Sequence, residues 1–261
     1  MDLRLTGRRA LVMGASRGLG RAVAQTLLAE GATVVATARD VAAIEAWIGE
    51  LPAEMRHRAS AAQLDLSRRS DINAVVERME ATGGIDIIIN NSGGPPPCKA
   101  GTVQPDTWAA QFEMMANNIF YIDTLLLPGM IERGWGRIIT IASSGVTQPI
   151  PNLALSNGIR AAVIGWSKTL SAEVASCGVT VNVVIPGRIH TDRVDTLDSV
   201  AAQRRGVSVE DVVRASHNTI PAGRYGRPEE FADTVAFIAS DRASYITGTQ
   251  IRVDGGLIRS I

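Results

Sequence analysis

Short β-branched runs alternate along this chain with longer segments of helical spacing. The runs are "RALVM", "ATVVATA", "ASAAQLD", "IDIII", "RIITIA", "VTVNVVI" and "TQIRVD", and each predicts a strand. Between them, near residues 18–30, 40–50, 68–81, 105–133, 153–176 and 228–240, apolar positions follow a helical period over stretches long enough to cross a sheet. The alternation predicts one α/β unit, a doubly wound, seven-stranded and mainly parallel sheet with helices on both faces. Two stretches break the rhythm: "GGPPPCKAG" at 93–101 and the polar segment from His190 to about Arg224. Both follow strands. Ligands in such sheets bind beyond the carboxyl ends of the strands, so these stretches are candidate substrate walls, the segment of about 190–224 serving as a lid or loop within the single domain 1–261.

Composition narrows the function classes. At 261 residues and 46% hydrophobic content the chain suits one domain with a sizeable core. Lys plus Arg equals Asp plus Glu at 26 each, so no global field draws it to nucleic acid or an anionic membrane. The clusters Arg8-Arg9, Arg68-Arg69 and Arg204-Arg205 read as solvated surface. Cys98 and Cys177 form no Cys-x-x-Cys pair, and His57, His190 and His217 are far apart, which argues against a disulfide framework and a metal site. No apolar run reaches the length of a signal peptide or membrane span, and a soluble, cytoplasmic protein is expected.

The strongest motif follows the first strand. Gly14, Gly18 and Gly20 are spaced Gly-x-x-x-Gly-x-Gly between a strand and a helix, where absent side chains let backbone amides and the helix start approach a pyrophosphate. The second strand ends in "ATARD". An acidic residue there would hold a ribose 2′-hydroxyl, but Arg39 stands in its place, and with Arg17 it would attract a 2′-phosphate. The expected cofactor is therefore NADP(H), with NAD(H) the alternative. Asp40 reads as the cap of the next helix.

Taken together, the motifs resemble those of the short-chain dehydrogenase/reductase superfamily over nearly the whole chain, in texture nearest the 3-oxoacyl carrier-protein reductases. The glycine loop is similar to the family's Thr-Gly-x-x-x-Gly-x-Gly with Met13 for the threonine, and "NNSG" at Asn90–Gly93 is similar to Asn-Asn-Ala-Gly. "IPGRIHT" at 185–191 resembles the Pro-Gly loop, and "GRPEEFADTVAFIASDRASYITGTQIRVDGG" the C-terminal signature. The resemblance implies a Rossmann-type domain, a homo-oligomer (usually a tetramer, otherwise a dimer), and a small-molecule carbonyl or alcohol substrate of the 3-oxoacyl, ketone or sugar class. It places the cofactor on Gly14, Ser16, Arg17, Gly18, Leu19, Gly20, Arg39, Asp65, Leu66, Asn91, Gly93, Arg160, Pro186, Gly187, Ile189 and Thr191, with Asp65 at the adenine and Thr191 at the nicotinamide carboxamide.

The family's catalytic Asn, Ser, Tyr and Lys are where the sequence departs. Its serine corresponds to Ser143, beside Ser144, but Ser156 stands for the tyrosine, Arg160 for the lysine and Met115 for the asparagine, with Asn118 three residues further on. A serine hydroxyl is too weak an acid to protonate an alkoxide, and a permanently charged arginine takes no part in a proton relay. Arg160 can instead hold the nicotinamide ribose, stabilise an oxyanion, or, with Arg188, recognise an anionic substrate. His190 is the nearby side chain that titrates near neutrality and is the candidate proton donor. Ser143, Ser156 and Arg160 thus form an atypical catalytic set in an NADP(H)-dependent oxidoreductase. The alternative is a catalytically impaired cofactor-binding sensor or assembly subunit.

Overall fold

The computed structural model describes residues 1–260. In chain order it contains β1 (Arg9–Met13), α1 (Gly18–Ala29), β2 (Thr33–Ala38), α2 (Val41–Gly49), α3 (Ala53–Arg56), β3 (Ala59–Gln63), α4 (Arg69–Ala81), β4 (Ile87–Asn90), α5 (Pro105–Phe112), α6 (Asn118–Glu132), β5 (Gly136–Ile141), α7 (Ala154–Val174), β6 (Val179–Pro186), α8 (Asp192–Arg205), α9 (Val209–Thr219), α10 (Pro228–Ala239) and β7 (Gln250–Val253). All seven strands pair in parallel in the order β3-β2-β1-β4-β5-β6-β7. This is the doubly wound, Rossmann-type sheet. The order reverses between β1 and β4, and the crevice outside their carboxyl ends is the ligand position of such sheets.

The central strands bury both faces. Leu11, Ile88 and Ile138 enter the cluster under α4 and α6, while Val12, Ile89 and Ile139 enter the one under α1 and α10. A strand apolar on both faces is stable only between two helical layers, which is why β4 runs Ile87–Ile89 without a break and β5 carries Ile138, Ile139 and Ile141. Asp40 does cap α2, its Oδ1 accepting from the Ala43 amide at 3.1 Å.

Two regions differ from the expectation. The segment 190–224 is not a loop: it folds into α8, a polar surface helix with little apolar period, and α9, whose apolar stripe is clear in the sequence although Val212 is its one buried residue. The helix expected over 105–133 is interrupted by a π turn at Glu113–Asn117. The extra residue in that turn drives Met115 and Ala116 onto Leu155, Ile159 and Val163 of α7. Among the described residues no helix is long and apolar enough to cross a membrane, and no cluster of His, Cys, Asp and Glu has metal-binding geometry.

Candidate active site

The glycine loop is packed against β4's exit rather than standing free. A Cβ on Gly20 would fall 2.2 Å from the Gly14 carbonyl oxygen and 2.8 Å from Asn91 Nδ2. Gly14 and Gly18 have φ of +62° and +57°, a region that disfavours side chains. No side chain caps α1, and its first turn has no acidic residue. Its free amides are therefore available to an anion. Arg17 and Arg39 are exposed and form no ion pair among the described residues. Arg39 lies near Asp65, whose carboxyl is held below its usual range first by the Ser67 amide, with help from the Ser67 hydroxyl and the charges of Arg39 and Arg68. A pyrophosphate and an adjoining phosphorylated ribose fit this cradle.

The opposite end of the crevice is organised by Arg160. Ser156 and Arg160 sit one turn apart on α7, and both are buried. Arg160 Nη1 donates to the Ile141 carbonyl at 3.0 Å and Nη2 to the Ser92 carbonyl at 3.3 Å, tying α7 to the ends of β5 and β4. No carboxylate among the described residues pairs with it, and burial pushes the guanidinium down to about 10, still charged at neutral pH. Ser143 leaves β5 just beyond Ile141, and its Oγ accepts from the Gly145 amide at 3.2 Å. Ser92 Oγ is buried without a partner. It stands where the resemblance has alanine in Asn-Asn-Ala-Gly, a departure legible in the sequence.

Several expected participants turn elsewhere. Asn118 Nδ2 donates to the Leu66 carbonyl at 2.7 Å, placing that amide behind the loop that follows β3. Arg188 is engaged by the buried Asp198 at 2.8 Å, which also accepts from the Tyr225 hydroxyl at 2.7 Å, so it anchors α8 rather than offering a free charge. His190 is exposed just before α8, with Nε2 3.2 Å from Asp195 Oδ1. The Pro186–Thr191 loop does reach the cradle: a Cβ on Gly18 would lie 3.6 Å from the Thr191 methyl.

A family profile described as enoyl-(acyl carrier protein) reductase matches residues 14–258, from the glycine loop to the C-terminal segment. The chain belongs to the short-chain dehydrogenase/reductase family. It is 37% identical over 252 residues to the 3-oxoacyl-[acyl-carrier-protein] reductase of Salmonella typhimurium, covering 96% of this chain and 97% of that one. The structure of L-sorbose reductase from Gluconobacter frateurii complexed with NADPH and L-sorbose superposes with a TM-score of 0.94 at 30% identity, covering 100% of both chains. An NADPH-dependent reductase involved in bacilysin biosynthesis superposes at 0.91 with 29% identity, over 97% of this chain and 99% of that one. By kind, the short-chain dehydrogenase/reductase described here is an oxidoreductase, and its relatives include NADPH-dependent reductases.

Proposed function

We propose that this protein is an NADP(H)-dependent reductase of a small carbonyl substrate, of the ketone, sugar or 3-oxoacyl class, working through Ser143, Ser156 and Arg160. The carrying observation is the buried guanidinium of Arg160 fixed across the ends of β4 and β5, at the other end of the crevice from a glycine loop whose cradle fits a pyrophosphate. When bound, the cofactor supplies hydride. Arg17 and Arg39 hold its 2′-phosphate, the α1 amides its pyrophosphate, and Arg160 and Thr191 its nicotinamide half. Arg160 stabilises negative charge on the substrate oxygen as a cation already held in place before that charge forms. Ser143 and Ser156 orient that oxygen by hydrogen bonds, and solvent delivers the proton that the family's tyrosine would carry. The second reading, a cofactor binder without turnover, is favoured by one observation: Met115, at the family's asparagine position, is packed into an apolar cluster and offers no polar group.

Titration of the purified protein with NADPH, followed by a pool of ketones, aldehydes, sugars and acyl thioesters, tests the reading. Substrate-dependent loss of cofactor fluorescence is expected, with kcat reduced at least tenfold in both Ser156→Ala and Arg160→Ala while the thermal melt remains cooperative. Undiminished turnover in both variants would overturn the catalytic assignment. Arg39→Asp is expected to weaken NADPH by roughly 10- to 100-fold and shift preference to NADH, because it removes a charge-assisted phosphate contact and restores an acceptor for a 2′-hydroxyl. Unchanged NADPH affinity would remove Arg39 from the phosphate site.

A further inference from the structure

Arg160 poses an electrostatic problem that its hydrogen bonds do not solve. Both recorded partners, the carbonyls of Ile141 and Ser92, are neutral dipoles. Its side chain is nine-tenths buried, with no carboxylate in ion-pair range among the described residues. The neighbouring hydroxyls of Ser92, Ser143 and Ser156 do not ionise in the physiological range, so none can become a counter-charge. Asp123, buried on α6, accepts from Asn90 Nδ2 and is kept mostly neutral at neutral pH by desolvation. On α8, Asp195 faces His190 and Asp198 is taken by Arg188 and Tyr225. Asp65 is at the far, adenine end beside Arg39. Asp254, packed on Gly187, is engaged by the amides of Gly256 and Ile258, and the exposed Arg193 reaches only Gly94 at the rim, so Arg160 is the buried positive charge of the nicotinamide half of the crevice.

We propose that this isolated charge makes the site select the redox state of the cofactor, binding NADPH at least tenfold more tightly than NADP+. The inference rests on the cofactor reading above. The two forms share every phosphate and ribose and differ at the nicotinamide ring, which is neutral when reduced and positively charged when oxidised. A second cation brought beside an uncompensated, buried guanidinium is repelled at short range and little screened by solvent. A tyrosine at residue 156 could lose its proton and offset the pair of charges; Ser156 cannot. Arg160 is then the residue that determines which cofactor form the protein keeps. NADP+ is released once formed, and the resting protein holds the reduced form whether it turns over a substrate or reports the reduced fraction of the pool.

Binding alone tests this. The dissociation constant of NADPH is measured by fluorescence and that of NADP+ by displacement and calorimetry, on the full chain at neutral pH and fixed ionic strength. Wild type is expected to show at least a tenfold preference for NADPH. Arg160→Gln, which retains amide donors but no charge, is expected to bring the ratio close to one, and Arg160→Lys to keep most of it. Ser156→Asp leaves Arg160 in place and supplies a counter-charge, so it is expected to erase the preference even if Arg160→Gln folds poorly. Equal wild-type affinities, or a preference that survives both Arg160→Gln and Ser156→Asp, would overturn the inference while leaving the cofactor reading standing. Failure of wild type to bind either form would overturn the cofactor reading itself.

Discussion

Gly20→Ala is expected to abolish useful cofactor binding, with NADPH affinity falling at least 100-fold. The added methyl would sit 2.2 Å from the Gly14 carbonyl oxygen and 2.8 Å from Asn91 Nδ2. The first obstacle is backbone, so no rotamer change relieves it. Either the start of α1 retreats from the loop or the loop opens at Gly14, whose positive φ already ties it to one conformation. Each movement redirects the free amides of α1, on which anion binding depends. Overpacking of this kind also costs about 1–3 kcal/mol of stability, so a lowered but cooperative melt should accompany the lost affinity. Fluorescence titration beside a thermal melt checks both. A variant that melts lower yet binds NADPH as wild type does would mean that the cradle tolerates displacement and that the phosphate contacts lie elsewhere.

Asp123→Asn is expected to stabilise the protein in alkaline solution. Asp123 lies in α6, fully buried, and its Oδ2 accepts from Asn90 Nδ2 at 2.7 Å; Asn90 Nδ2 also reaches Thr140 Oγ1 at 3.3 Å. The remaining oxygens of both side chains, Asp123 Oδ1 and Asn90 Oδ1, have no other partner. A proton on Asp123 Oδ1 donated to Asn90 Oδ1 would satisfy both at once. Burial pushes the carboxyl up to about 8, and the Asn90 hydrogen bond only partly opposes that shift. The unfolded chain ionises this group near its ordinary value of 3.8, so between about pH 4 and pH 8 the folded state holds one proton more than the unfolded state. Stability contributed by the protonated pair is therefore complete below pH 4, falls as pH rises, and is lost by pH 8 to an extent on the order of 5 kcal/mol.

An asparagine at 123 donates and accepts in the same two places without ionising. Its melting temperature is expected to exceed that of wild type by at least roughly 5 °C at pH 9, with the difference narrowing towards pH 5. Parallel melts from pH 5 to pH 9 provide the check. Equal slopes for the two proteins would place the titration at another group. The signal for this pair was present in "NIFYIDTLLLPGM", where one aspartate interrupts an otherwise apolar run, but only the packing of α6 against β4 and β5 identifies Asn90 as its partner.

The sequence by itself determined the architecture and the cofactor loop. Strands buried on both faces leave an apolar signature, and the glycines mark a loop in which Gly14 and Gly18 hold positive φ and Gly20 abuts the Gly14 carbonyl within a few residues of chain. It also determined that Ser156 and Arg160 lie one helical turn apart, because helix period is set by neighbours along the chain. The tertiary structure alone decided what surrounds them. Arg160 is bound by carbonyls from residues 92 and 141 and, among the described residues, by no acid, Arg188 is spent on Asp198, and Asn118 turns to Leu66. Each of those outcomes depends on segments far apart in the chain meeting in space. The seating of α8 belongs to the same class, since only Val194, Asp198 and Ala202 of its residues are buried and its own sequence marks no inner face. Charge compensation in a buried site is likewise a property of the whole enclosure. A residue's type states that it carries charge; only the arrangement around it decides whether that charge is answered.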